Sequence, residues 1–164
     1  MPEISLLGWV HTGIAIIALL AGFYSLARYK FILLEHKAGK IYLLCTLIAA
    51  ASALMIFRHG GFGVAHALAV LTLLALALGT IAAMTRLFGA LSAYIQAMSY
   101  SATLLFHMIP AITDGLMRLP ADNPIVTNIE DPLLKGFYLA FLVTYIIGTG
   151  IQVLLLRKHN LQTV

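Results

Sequence analysis

The chain has 164 residues, 62% hydrophobic and 10% charged, with a formal net charge of +4. A water-soluble domain of this size would carry about a quarter charged residues, so this composition cannot clothe a water-facing surface. A single cysteine, Cys45, excludes a disulfide framework or a cysteine-type zinc site made by this chain alone. Nucleic acid is not expected as a partner, because the basic residues flank apolar runs instead of forming one patch interleaved with aromatics.

Five stretches hold no Asp, Glu, Lys or Arg: 4–27, 41–57, 60–85, 87–113 and 136–156. Each is long enough for the roughly 17 to 25 helical residues that cross a bilayer core. Central Leu, Ile, Val and Phe favour insertion by about 0.3 to 0.6 kcal/mol each, whereas one central Lys or Arg costs roughly 2.5 to 3.5. The expected architecture is all-α: a polytopic membrane protein, one five-transmembrane-helix bundle over 1–164, with an exterior loop at 114–135. Laid alternately across a membrane, the spans send Arg28, Lys30, Lys37, Lys40, Arg86, Arg157 and Lys158 to one side. The other side receives only Arg58, Arg118 and Lys135, with Glu3, Asp114, Asp122, Glu130 and Asp131. The positive-inside bias then places the N-terminus outside and the C-terminus in the cytoplasm, the lipid bilayer being the first partner.

Along the chain, the first span carries Trp9, an interfacial anchor, and His11 a turn or two from its outer end. The second is the shortest and is bracketed by Lys40 and Arg58, which can reach either interface. It carries Cys45, Ser52 and His59 at seven-residue spacing, with His59 in the turn that follows. The third begins one turn before His66. On it, Ala75, Gly79 and Ala83 recur every four residues, as do Gly89, Ala93 and Ala97 on the fourth, a spacing that allows close backbone approach. The fourth also aligns Gln96, Ser99, Tyr100, Thr103 and His107 on one face, which must look inward. Asp114 continues that register if the helix runs past Pro110. The connection to the fifth span holds Pro120, Pro124 and Pro132 and reads as turns, with a short helix at Gly115 to Leu119. The fifth span has its own stripe of Tyr138, Tyr145, Gly148 and Gln152.

His11, His59, His66 and His107 all fall in the outer half, where a polar ring in hydrocarbon needs a partner and commonly marks function. Imidazoles from facing helices can ligate haem iron, and three or four can hold copper, iron or zinc. The expected metal ligands are His11, His66 and His107, with His59 in reserve. Gln96, Ser99, Tyr100 and Thr103 would orient the imidazoles or bind a cofactor's polar groups, and Asp114 would exchange protons with the outside. The leading expectation is an electron-transfer or oxidoreductase protein that uses haem b or another redox metal near the exterior face. Its redox partner would be a quinone, another subunit or a periplasmic protein. A non-catalytic subunit of a larger membrane complex, or of a homo-oligomer, is the competing reading, since each histidine could equally bond a neighbouring helix. A zinc-dependent intramembrane hydrolase comes third, because no carboxylate general base lies within a span.

The segment His36-Lys37-Ala38-Gly39-Lys40-Ile41-Tyr42, followed by Ser52 and Gly60-Gly61, resembles a family of small bacterial membrane proteins, domain of unknown function 2306. The run Met98-Ser99-Tyr100-Ser101-Ala102 carries the same resemblance, although this chain lacks a basic residue next to Ser99. The resemblance spans His11 to His107 and omits the fifth helix. It implies a bundle of four or slightly more helices in a bacterial inner membrane, and no activity. A looser likeness is to cytochrome b561-type bundles, in which helical histidines ligate haem b.

Overall fold

The computed structural model describes residues 4–57, 61–85 and 87–162, with side chains as far as Lys158. His59, Arg58, Arg86 and Glu3 lie outside the described residues. Among those described there are five α-helices, one short 3-10 turn at Gly89–Leu91 and no strand. The helices are α1 (Leu6–Tyr29), α2 (Lys37–Ala53), α3 (Val64–Met84), α4 (Ser92–Arg118) and α5 (Pro132–Gln162).

Local chemistry sets most of these ends. The Ser5 hydroxyl accepts the Gly8 N–H at 3.1 Å and starts α1. Lys30 stops it in the left-handed conformation, φ 67°, returning its N–H to the Leu26 carbonyl. Pro132 opens α5 at a position where the missing N–H costs nothing, and the Asp131 carboxylate accepts the Leu133 N–H at 2.8 Å.

Two boundaries differ from expectation. α2 starts four residues before the charge-free stretch because Lys37 and Lys40 sit exposed in its first turns; a charge-free run marks what lipid tolerates, not where backbone bonding begins. α4 runs unbroken through Pro110 to Arg118, so Gly115 begins its last turn rather than a separate helix, and the connection narrows to Leu119–Asp131. Proline inside a helix frees one carbonyl, a loss that membrane helices tolerate when neighbours resupply polar contacts.

Cross-helix contacts give the arrangement. His11 meets Ala49 and Ser52 while Gly22 meets Tyr42, so α1 and α2 run antiparallel. Tyr42 meets Thr103 and Thr46 meets His107, so α2 and α4 run parallel. Ser101 with Gln152 and Thr113 with Tyr138 make α5 antiparallel to α4. Gln152 also donates to the Lys30 carbonyl at 2.8 Å, which brings Arg157 and Lys158 to the same end as Lys30, Lys37 and Lys40. Asp114, Arg118, Glu130, Asp131 and Lys135 occupy the opposite end, where Val126 and Leu134 are buried at 2% and 0% exposure.

Two tyrosines form the heart of the core, each seated in a glycine notch. A Cβ at Gly22 would stand 2.8 Å from the Tyr42 ring, and one at Gly79 would stand 2.7 Å from the Tyr100 ring. Both tyrosines are completely buried. Gly79 thus lies on the α3 seam, whereas Gly89 and Ala93 are exposed.

Among the described residues, three helices are long and apolar enough to cross a membrane: Leu6–Tyr29, Val64–Met84 and Pro132–Lys158, of 24, 21 and 27 residues. Their outer faces present Leu20, Leu74 and Leu154 at more than half exposure. Water would make such faces costly, whereas lipid covers them without penalty. α2 has 17 residues, about 26 Å of rise against a hydrocarbon core of roughly 30 Å.

Candidate functional site

A chain of hydrogen bonds between α2 and α4 occupies the middle of the bundle. The Thr103 hydroxyl gives its hydrogen to the Tyr100 carbonyl at 2.7 Å, so across the 2.6 Å contact with Tyr42 it is the tyrosine that donates. One turn along α2, the Thr46 hydroxyl lies 3.2 Å from His107 Nε2, a contact in which either group can donate. The His107 ring meets the Tyr42 ring edge to face, with centroids 6.4 Å apart.

His11 approaches the same stretch of α2 from the other side. Its Nδ1 is 3.0 Å from the Ala49 carbonyl and 3.1 Å from the Ser52 hydroxyl, which itself donates to Ala49 at 2.9 Å. With that hydroxyl hydrogen used, Nδ1 must carry the ring hydrogen and Nε2 the lone pair. α2 therefore orients two imidazoles within roughly one to two helical turns of each other.

His66 is placed differently. Its Nδ1 accepts the Gly63 backbone N–H at 3.2 Å, which closes the first turn of α3. The ring lies 4.7 Å from Phe57 and 5.1 Å from Phe62 between centroids, inclined at 31° and 30°. Since Nδ1 accepts, Nε2 bears the hydrogen. His66 is 4% exposed, and its Nε2 has no hydrogen-bond partner among the described residues.

Of the other residues singled out in the sequence, Ser99, Tyr100 and Thr103 face inward with His107 as their spacing requires. Ser99 and Tyr100 pack on Gly79, and the Tyr100 hydroxyl lies 3.2 Å from Thr80. Gln96 is only partly buried. Asp114 is half-exposed, 3.8 Å from the Arg118 guanidinium one turn on. The α5 stripe docks on α4 through Tyr138 to Thr113, Tyr145 to the Met98 carbonyl and Gln152 to Ser101.

Sequence reasoning missed Tyr42 and Thr46 as the polar face of α2 and chose the Cys45–Ser52–His59 line instead. Of that line Ser52 belongs to the site, Cys45 packs against the apolar core cluster, and His59 lies outside the described residues. The usable signal was Tyr42, Thr46 and Ala49 at intervals of four and three. Among the described residues, no three His, Cys, Asp or Glu side chains gather as a metal-binding group. No family model, curated protein or solved structure matches the chain.

Proposed function

We propose that the chain is a five-span bundle of a bacterial inner membrane, N-terminus outside, and that His11 and His107 hold a redox centre near the exterior face. The observation that carries this reading is the convergence of the two imidazoles on Thr46 to Ser52 of α2, each with one ring nitrogen tied to an α2 oxygen. An imidazole oriented through one nitrogen presents the other as a lone pair to a metal, the usual arrangement behind a ligating histidine. The donor set suits copper, iron or haem b. A single ion needs less room than a porphyrin, because fully buried Tyr42 and Thr46 fill the space beside His107, and a macrocycle would have to lie along the part-exposed His11 ring. Such a centre, when bound, supplies reversible one-electron chemistry.

The protein's own part is positional. Thr46 orients the His107 ring, Ser52 and Ala49 hold the tautomer of His11, and the tyrosine cores exclude water. Asp114 stands at the acidic end of α4, where protons would exchange with the outside. Alternation of the helices and the gathering of Lys30, Lys37, Lys40, Arg157 and Lys158 at one end support five spans with that end in the cytoplasm.

A second reading is favoured by the same hydrogen bonds. His11 and His107 both find polar partners on α2, as cross-linking side chains in a non-catalytic subunit would, at about 0.6 kcal/mol each. Metal analysis with an optical spectrum of the purified, detergent-solubilised protein separates the two. Bound haem, copper or iron near one per chain supports the redox centre; absence of both a Soret band and a stoichiometric metal overturns it.

A further inference from the structure

The His66 ring is a buried imidazole whose hydrogen is spoken for at neither end of the bundle. A backbone N–H can only donate, so its contact with Gly63 makes Nδ1 an acceptor and leaves the hydrogen of the neutral ring on Nε2. That donor is shielded from solvent and has no acceptor among the described residues. Leaving a buried N–H unanswered is costly, so the position is suited to an acceptor brought by a ligand. A metal ion is a poor occupant, because Nε2 offers a hydrogen and not a lone pair.

The surroundings narrow the choice. Phe57 and Phe62 are inclined at 31° and 30° to the ring, and are themselves 59% and 69% exposed. Met55 and Val64 beside them are 68% and 79% exposed. The described residues of the corner between α2 and α3 thus form an outward-facing apolar and aromatic surface with the His66 hydrogen beneath it. The ligand chemistry that answers it is a carbonyl oxygen on a flat ring with an apolar body. We propose that His66 Nε2 donates to a carbonyl of a quinone head group seated against Phe57 and Phe62. The quinone reaches it as these two exposed rings swing apart, and then lies between them. This names the electron partner of the redox reading above and rests on that reading for its purpose, though not for the binding itself.

The test uses the full chain with ¹⁵N-labelled histidine in lipid nanodiscs, titrated with a short-tailed benzoquinone. The His66 Nε2–H resonance is expected to move downfield and saturate. His66→Leu, which removes the donor, is expected to weaken binding about tenfold, the usual cost of one such hydrogen bond. His66→Gln keeps an acceptor for Gly63 and a hydrogen for the quinone, and should bind within about threefold of wild type. Should the leucine variant fail to fold, Phe62→Ala, at an exposed position, takes its place with an expected loss of at least about threefold. A His66 resonance unmoved at saturating quinone, or unchanged affinity in His66→Leu, overturns the proposal. So does a resonance that differs between ester- and ether-linked lipids yet ignores quinone, which would assign the acceptor to a lipid ester. Quinone binding without bound metal leaves this inference standing while the redox centre falls, and bound metal without quinone binding does the reverse.

Discussion

His107 and His66 are both buried imidazoles in a bundle of apolar helices, yet they engage different nitrogens. His107 bonds Thr46 on another helix through Nε2 and so joins α4 to α2. His66 spends its Nδ1 lone pair on Gly63, three residues away in its own first turn, and keeps an Nε2 hydrogen that nothing among the described residues answers. Burial alone therefore says little about what a membrane histidine is for; what decides is which nitrogen the nearest neighbour takes. A backbone N–H turns the ring into a donor, and a carbonyl oxygen, as Ala49 is to His11, leaves a lone pair on the other nitrogen.

The comparison is sharpest if the two regions respond differently to loss of an aromatic ring. Tyr42→Ala empties the Gly22 notch and strands the Thr103 hydroxyl, at a cost of about 3 to 5 kcal/mol. Phe62→Ala removes a ring that is 69% exposed and should cost less than about 1 kcal/mol. Reversible unfolding in mixed micelles measures both. Equal losses would mean that the α2–α4 seam is no more tightly built than the α2–α3 corner.

Next in size is Gly79→Ala, which sets a methyl 2.7 Å from the buried Tyr100 ring and should destabilise by about 1 to 3 kcal/mol. The same change at Gly61, with open space around it, should be nearly silent. Tyr42→Phe keeps the ring and removes only the hydroxyl bonded to Thr103, at about 0.6 to 1.7 kcal/mol.

Much of this fold was legible beforehand, and for a physical reason. A run without charge long enough to cross lipid stands out without any knowledge of partners, and each of the five runs coincides with most of one helix. The inward face of α4 was equally plain, because Ser99, Tyr100, Thr103 and His107 cannot all face hydrocarbon. The extent of α4 was not, since Pro110 and Asp114 look like an end to any rule that ignores neighbours able to resupply polar contacts. The pairing of side chains was hidden for another reason. Cys45, Ser52 and His59 are as regularly spaced as Tyr42, Thr46 and Ala49, and only the rotation of α2 against α4 selects between them. Ring tautomers lie further out of reach, as they depend on the direction of single hydrogens. His66 shares its burial with His107, and its spacing in the sequence does not reveal that its Nδ1 accepts from Gly63.

The smallest expected effect lies away from both regions, in the connection to α5. Glu130 is held below the usual carboxylate range by its hydrogen bond to Lys135, 2.7 Å away, and then by the charge of that ammonium. A depressed folded value means that the pair stabilises the connection above the ordinary carboxylate range, near pH 4.3, and that this is lost as pH falls through the lower folded value. Lys135→Ala should return the Glu130 midpoint upward in a ¹³C carboxyl titration, with the histidine signals undisturbed.

The most direct test of the redox assignment is metal content and optical spectrum measured side by side for wild type, His11→Ala and His66→Leu. The account predicts a centre near one per chain in the wild type, its loss in His11→Ala and its retention in His66→Leu. A centre that survives the first substitution and disappears in the second would contradict it, as would a wild-type protein carrying no metal at all.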